Sequence, residues 1–266
     1  MLVLLGPPFE GRNDQYDELA RMTGLVAYEL RTKLKPDTWG VVRALGDQAQ
    51  ASALRDRLMA AGYRSAVVDA LVAHDPERPI VTLRALSSDE QGLTLHLQSR
   101  SMSIPWGALL VVVQGQVTVE PVKARGSSTT LRAVKPSTAE IESFRESLAT
   151  APTEAYLAAD IHFITVPWIA RVDTRSFDFG DSRGTPPEQL ERLVSWLTAQ
   201  GGVRVDAGAR SSSVQAFTEP PGRARITPSP GAPARRGADE PTPKFDAYSR
   251  LIAEAERRAR DEGARV

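Results

Sequence analysis

A long stretch without hydrophobic periodicity, residues 208–243, divides the chain into a body and a tail. Pro, Gly, Ser, Ala and Arg dominate this stretch. A segment with so little apolar surface cannot offset the entropy lost on ordering, so we predict a disordered linker over residues 208–243. Folded structure must then come from residues 1–207 and from the segment that follows the linker.

The segment after the linker, residues 244–262, is predicted to form an amphipathic helix. Apolar side chains recur three or four positions apart on an otherwise charged sequence, at Phe245, Tyr248, Leu251, Ile252 and Ala255. A tethered stripe of this kind cannot bury itself locally. It can fold back on the body, pair with a copy of itself or enter another protein's groove. We predict these five residues as the partner-binding site. Replacing Leu251 and Ile252 with Asp should then abolish partner binding and leave the melting of residues 1–207 unchanged.

The first 72 residues predict a small module with alternating element types. Apolar runs near residues 2–5, 39–46 and 65–70 indicate strands, and helical spacing near 13–23, 26–34 and 47–61 indicates helices. Gly24 ends the first of these helices, and Asp47 is a typical N-cap for the third. The order strand, helix, helix, strand, helix, strand is typical of a small α/β sandwich.

Two further units are predicted before the linker. Residues 78–122 favour an antiparallel β unit, because leucines at 93, 95 and 97 alternate with polar residues. Residues 136–207 favour an α+β unit with a helix beginning at Ser137, two strands, and a helix that begins at the Thr185-Pro186-Pro187-Glu188 capping signal. The chain as a whole is therefore predicted as α+β: the sandwich, the antiparallel unit, the second α+β unit, the linker and the terminal helix.

Residues 1–70 resemble the C-terminal domain of the bacterial ribosomal stalk protein, a fold shared with the Clp protease adaptor. The stalk family carries Thr-Gly-Leu between its first two helices and Glu-Ala-Lys in the second. Thr23, Gly24, Leu25, Glu29 and Arg31 stand here at matching spacing. The resemblance implies the fold of this module.

The binding residues of those two families do not carry over. The stalk family has Lys and Arg six and three residues before the Thr, where this chain has Asp17 and Ala20. The Clp adaptor family has an Asn-Asp-Asp run and a His after its first strand. This chain has Gly6-Pro7-Pro8-Phe9 there and no His before His74. A shared fold does not determine function, so the resemblance leaves the function open.

Few residues point to chemistry. The chain has no cysteine, which excludes disulfides, thiolate metal sites and cysteine nucleophiles. No phosphate-binding loop, nucleophile elbow or metal-binding histidine pair is present, and we predict neither a cofactor nor a metal. Asp160 and His162 lie two apart on a predicted strand and so face the same side. With Arg171 on the next strand they are the candidate ligand residues.

We therefore predict a non-enzymatic interaction or adaptor protein that captures a partner through the terminal helix or a sheet edge. Two alternatives stay open: a small-ligand sensor or enzyme with a cleft between the first and third modules, and a structural homo-oligomer paired through the last helix. The formal net charge of +0 gives no reason to expect a nucleic-acid partner. No apolar run approaches the roughly 18 residues of a membrane span. The Arg- and Ala-rich composition is typical of a bacterial protein, and we expect a cytoplasmic location.

Overall fold

The computed structural model describes residues 1–119, 154–180, 183–210 and 244–263. Residues 1–117 and 156–266 form one compact unit. Residues 118–155 form a second one, of which only the ends, 118–119 and 154–155, are described. The helix predicted from Ser137 and residues 211–243 of the predicted linker, 208–243, lie outside the described residues. The first three residues of that linker, Gly208–Arg210, form a short 3₁₀ helix.

The first sheet has three antiparallel strands and carries three helices on one face. Its strands are β1 (Leu2–Leu5), β2 (Gly40–Ala44) and β3 (Ser65–Val68), and its helices are α1 (Asn13–Thr23), α2 (Ala27–Lys33) and α3 (Gln48–Ala60). The order across the sheet is β2-β1-β3. Val3 and Leu5 of the central strand pack against the helices, whereas Leu2 and Leu4 face the other way, into a different core. The predicted order of elements over the first 72 residues is confirmed.

Local signals fix the helix ends in this part of the chain. Gly24 adopts a left-handed conformation with φ 69° and donates its N–H to the Ala20 carbonyl, which ends α1. The Asp47 side chain accepts a hydrogen bond from the N–H of Ala49 at 2.7 Å and caps α3.

The second sheet has five strands in the order β11-β8-β9-β10-β4, and the third has three in the order β5-β6-β7. Their bounds are β4 (Ile80–Thr82), β5 (Ala85–Ser88), β6 (Gly92–His96), β7 (Ser101–Pro105), β8 (Leu109–Val119), β9 (Glu154–Phe163), β10 (Ile169–Asp173) and β11 (Arg204–Asp206). β10 pairs antiparallel with β9 and parallel with β4, and β11 pairs parallel with β8. The third sheet is antiparallel throughout.

The segment predicted as one antiparallel unit, residues 78–122, is divided between these two sheets. Only β5, β6 and β7 form the antiparallel unit. β4 and β8 belong to the second sheet, where residues 109–113 of β8 are buried on both faces. A strand covered on both sides shows a continuous apolar run in place of alternation, and Leu109–Val113 is such a run.

Helix α4 (Pro186–Gly201) covers one face of the second sheet with Leu190, Val194 and Leu197. Its start is the predicted capping box, in which the N–H of Thr185 donates to Glu188 Oε2 at 2.8 Å. Gly202, with φ 59°, ends it. No helix in the described ranges is both long and apolar enough to span a bilayer.

Helix α5 (Lys244–Gly263) lies between the first and second sheets. Its apolar residues share one cluster with Leu2 and Leu4 of β1 and with Val111 and Val113 of β8. Every residue from 245 to 256 is buried. Gly115 of β8 allows the close approach, because a Cβ there would stand 2.6 Å from two ring carbons of Phe245. The terminal helix is therefore the central layer of the unit.

Candidate functional site

The residues predicted as ligand-binding, Asp160 and Arg171, face α5 from the second sheet. They are directly opposite in the β9–β10 register. Arg171 Nε and Nη2 donate to the two carboxylate oxygens of Asp160 at 2.7 and 2.9 Å. Arg171 Nη2 also donates to Asp246 Oδ1 of α5 at 2.7 Å. Asp160 has no exposed surface, so this cluster joins two strands to the helix away from solvent.

The guanidinium of Arg171 forms ion pairs with two carboxylates, those of Asp160 and Asp246. Burial alone would lower the pKa of Arg171, but Asp160 and Asp246 outweigh it and the pKa is raised. The pKa of Asp246 is also raised, chiefly by burial and further by the like charge of Asp160, against the attraction of Arg171. Arg171 therefore stays charged, and its removal would leave two buried acids without their cation.

His162, the third candidate ligand residue, contacts the next turn of α5. Its Nε2 lies 2.7 Å from Ser249 Oγ, and both residues are buried. Burial lowers the pKa of His162 to about 4; nearby arginines reinforce the shift and Asp160 opposes it. The imidazole is therefore uncharged at neutral pH and fits a hydrogen bond to a hydroxyl. The described residues contain no group of three acidic or histidine side chains placed to hold a metal ion.

Asp206 of β11 is a second connection that the sequence analysis missed. Its carboxylate accepts hydrogen bonds from the backbone N–H of Trp39 and of Gly208, each at 2.9 Å, and from the Tyr248 hydroxyl of α5. Burial raises the pKa of Asp206, and the hydrogen bonds from Trp39 and Tyr248 oppose that shift. No local spacing marks its contacts with Trp39 and Tyr248, which lie 167 and 42 residues away in the chain.

Two glutamates of α5 also form ion pairs with the body. Glu254 pairs with Arg78 at 2.8 Å. Glu256 pairs with Arg64 at 2.6 Å and accepts from Trp39 Nε1 at 2.9 Å. Glu254 and Glu256 on the charged side of the helix are thus both paired with arginines of the body.

The two predicted sites are halves of one internal interface. The partner-binding stripe is buried in its own chain, with exposures of 3% for Phe245, 1% for Tyr248 and 0% for Leu251, Ile252 and Ala255. His162 and Arg171 hydrogen-bond Ser249 and Asp246 of the same helix, and Asp160 is connected to it through Arg171. The stripe is therefore not open to a partner while α5 is in place. The physical reason is that the two sheets present apolar faces to both sides of the helix, which the sequence of the helix alone could not reveal.

A surface feature outside this interface is the free edge of β7. Hydrogen-bonded and non-bonded pairs alternate along an antiparallel ladder. The Leu97–Arg100 and Gln91–Trp106 pairs at the two ends are hydrogen-bonded. By the β6–β7 register, Met102 and Ile104 therefore bond to β6. The N–H and C=O groups of Ser101 and Ser103 and the C=O of Pro105 point away from it.

No backbone hydrogen bond from the described residues reaches this outer side of β7. The strand is largely exposed, and its exposed face carries hydroxyl contacts: Thr94 Oγ1 to Ser103 Oγ at 3.1 Å and His96 Nδ1 to Ser101 Oγ at 2.9 Å. By contrast, the opposite edge strand, β5, is covered at its start, where the N–H of Asp178 donates to the Arg84 carbonyl.

In comparisons with known proteins, no family model, no curated protein and no solved structure matches the chain. The resemblance of residues 1–70 to the stalk and Clp adaptor domains stays a prediction.

Proposed function

We propose that this chain is a non-enzymatic interaction protein that captures an extended segment of another protein along the free edge of β7. The observation that carries the proposal is the set of outward backbone groups on Ser101, Ser103 and Pro105. An extended peptide can add itself to such an edge as a fourth strand and pair with these groups.

The composition of β7 favours this use of the edge. Proteins usually block exposed edges with lysines, prolines, bulges or covering loops. β7 has the sequence SMSIP, with no charged residue and a proline only at its end. Its five residues exceed the three of β4 and of β11, the edge strands of the second sheet.

The side chains of β7 define what such a peptide would meet. On one face lie the hydroxyls of Ser101 and Ser103, and on the other the half-buried Met102 beside the core of the third sheet. A fitting peptide alternates small polar residues with apolar ones. Each backbone hydrogen bond contributes only about 1 kcal/mol net, and association itself is costly. We therefore expect weak and transient binding, with the apolar contacts at Met102 adding most to the affinity.

The buried interface of α5 supports a non-catalytic function. Of the residues first considered for chemistry, His162 and Arg171 have α5 side chains as hydrogen-bond partners, and Asp160 is paired with Arg171. Partner capture by the apolar stripe of α5 would require the helix to leave both sheets, so the sheet edge is the better candidate of the two predicted surfaces.

The test is to select peptides from a displayed library of unstructured sequences against the full chain. The amide exchange of Ser101 and Ser103 is then compared with and without the selected peptide. Ser103→Pro removes one outward N–H and leaves the ladder to β6 intact. Ser103→Ala is the matched control, because it keeps that N–H.

We expect the peptide to slow amide exchange at Ser101 and Ser103, Ser103→Pro to abolish binding and Ser103→Ala to retain it. Protection elsewhere, or unchanged binding to Ser103→Pro, would contradict the proposal. If light scattering instead detects a dimer of the wild type that Ser103→Pro dissociates, the strand added to β7 is β7 of a second copy of the chain and not a foreign peptide.

A further inference from the structure

A cleft of about 520 Å³ opens where the first sheet, the second sheet and α5 meet. Its charged lining consists of Arg64 before β3, Arg204 of β11, and Glu256 and Arg260 of α5. Trp106 and Leu109 contribute apolar wall. The volume is within the range of small-molecule sites, and the exposed lining of the cleft is more polar than apolar. Residues of all three predicted modules line this cleft, and it does not include Asp160, His162 or Arg171.

Two of the four charges in the cleft neutralise each other. Arg64 Nη2 and Nη1 donate to the two oxygens of Glu256 at 2.6 and 3.1 Å. Trp39 Nε1 donates to the same carboxylate at 2.9 Å, and the Arg64 guanidinium lies over the Trp39 ring at 5.3 Å. Glu256 is therefore fully engaged and does not cancel the charge of the other arginines.

Arg204 and Arg260 supply the excess positive charge. Arg204 is half-buried and Arg260 is exposed, and neither side chain forms a hydrogen bond or ion pair with another described residue. The end of α4, at Gly201 and Gly202, also lines the cleft, and its helix dipole places about half a negative charge there. Two full positive charges outweigh that partial charge, so the cleft attracts anions.

We propose that this cleft binds a small organic dianion, a phosphate monoester or a dicarboxylate, with its anionic groups on Arg204 and Arg260 and its carbon body against Trp106. Guanidinium groups pair with carboxylate and phosphate through two parallel N–H···O bonds, and a dianion matches the charge that Glu256 leaves uncancelled. Because Arg260 belongs to α5 and Arg204 to β11, the ligand bridges the terminal helix to the second sheet.

The test is isothermal titration calorimetry of the full chain with phenyl phosphate, phthalate and neutral benzamide. All three carry an aromatic ring, and only the first two are anionic. We expect saturable binding of at least one anion and no binding of benzamide. The affinity for phenyl phosphate relative to phthalate shows whether the cleft prefers a phosphate monoester or a dicarboxylate. Arg204→Ala and Arg260→Ala should each weaken binding about tenfold or more, as expected for losing a charge-assisted hydrogen bond. Bound anion should also raise the melting temperature.

Arg57→Ala is the matched control, since Arg57 is exposed on α3 and outside the cleft. Melting curves of all three variants verify that they fold. The proposal is overturned if neither anion binds at millimolar concentration, if benzamide binds as well as the anions, or if the Arg204 and Arg260 variants bind like Arg57→Ala. None of these results bears on the β7 edge, which shares no residue with the cleft.

Discussion

The substitution Leu251→Ala tests whether α5 is part of the hydrophobic core or is only connected to the body by a linker. Leu251 is 0% exposed and shares its cluster with residues of both the first and second sheets. Truncating a buried leucine to alanine removes transfer free energy and leaves a cavity, at a cost of about 2–5 kcal/mol. Total stabilities are about 5–15 kcal/mol, so the variant should still fold in water.

The assay is equilibrium unfolding in urea, followed by far-ultraviolet circular dichroism. With a denaturant slope of about 2 kcal/mol/M, a loss of about 3 kcal/mol shifts the midpoint down by roughly 1.5 M. Asp261→Ala is the control: Asp261 is exposed on the same helix, and such changes usually stay within about 0.5 kcal/mol.

A midpoint for Leu251→Ala within about 0.3 M of the control would refute the argument that α5 is part of the core. The sequence-based expectation that Leu251→Asp with Ile252→Asp leaves the body unchanged is therefore reversed. Two carboxylates placed in the cluster between the sheets should prevent the unit from folding.

Three other outcomes follow from the contacts of α5. Arg171→Met leaves two buried aspartates without a cation and should lower the unfolding free energy by about 3–5 kcal/mol, measured in urea; a loss below about 1 kcal/mol would contradict the buried cluster. Because burial lowers the pKa of His162 from 6.5 to about 4, its contribution to stability is present above pH 6.5 and lost as pH falls. The stability advantage of the wild type over His162→Gln should therefore shrink by on the order of 3 kcal/mol between pH 7 and 4, and a constant difference would show that the imidazole is not buried. Gly115→Ala should lower the free energy of unfolding by about 1–3 kcal/mol through overpacking against α5. Gly107→Ala is the control, because its Cβ position has open space around it, and it should leave the free energy of unfolding unchanged. Calorimetric melting of both variants measures the difference.

The sequence predicted those features that depend on neighbouring residues. Gly24 and the Thr185–Glu188 pair mark helix ends because capping needs only residues a few positions apart. The same holds for the order of elements over residues 1–72 and for Asp160 and His162 on one side of a strand. Each of these is a short-range consequence of helix or strand period.

The sequence could not predict the surroundings of α5. Charged residues on a helix usually indicate a solvated face. Here the partners of those charges are remote, with Asp246 lying 75 residues from Arg171 and Glu254 176 residues from Arg78. No spacing rule connects residues so far apart. For the same reason the strand around residues 101–105 could be foreseen, but not that no described residue would pair with its outer edge.

The position of α5 in the chain has a consequence for biosynthesis. The last described strand, β11, ends at Asp206, whereas α5 ends at Gly263. At translation rates of about 5–20 residues per second, the interval between the two is roughly 3–11 s. During that time α5 has not yet been synthesised, and it does not cover the faces of the two sheets that it later covers. We therefore expect chaperones that shield apolar strands to bind the nascent chain during this interval. A product that stops before residue 244 would lack the helix that fills the space between the two sheets.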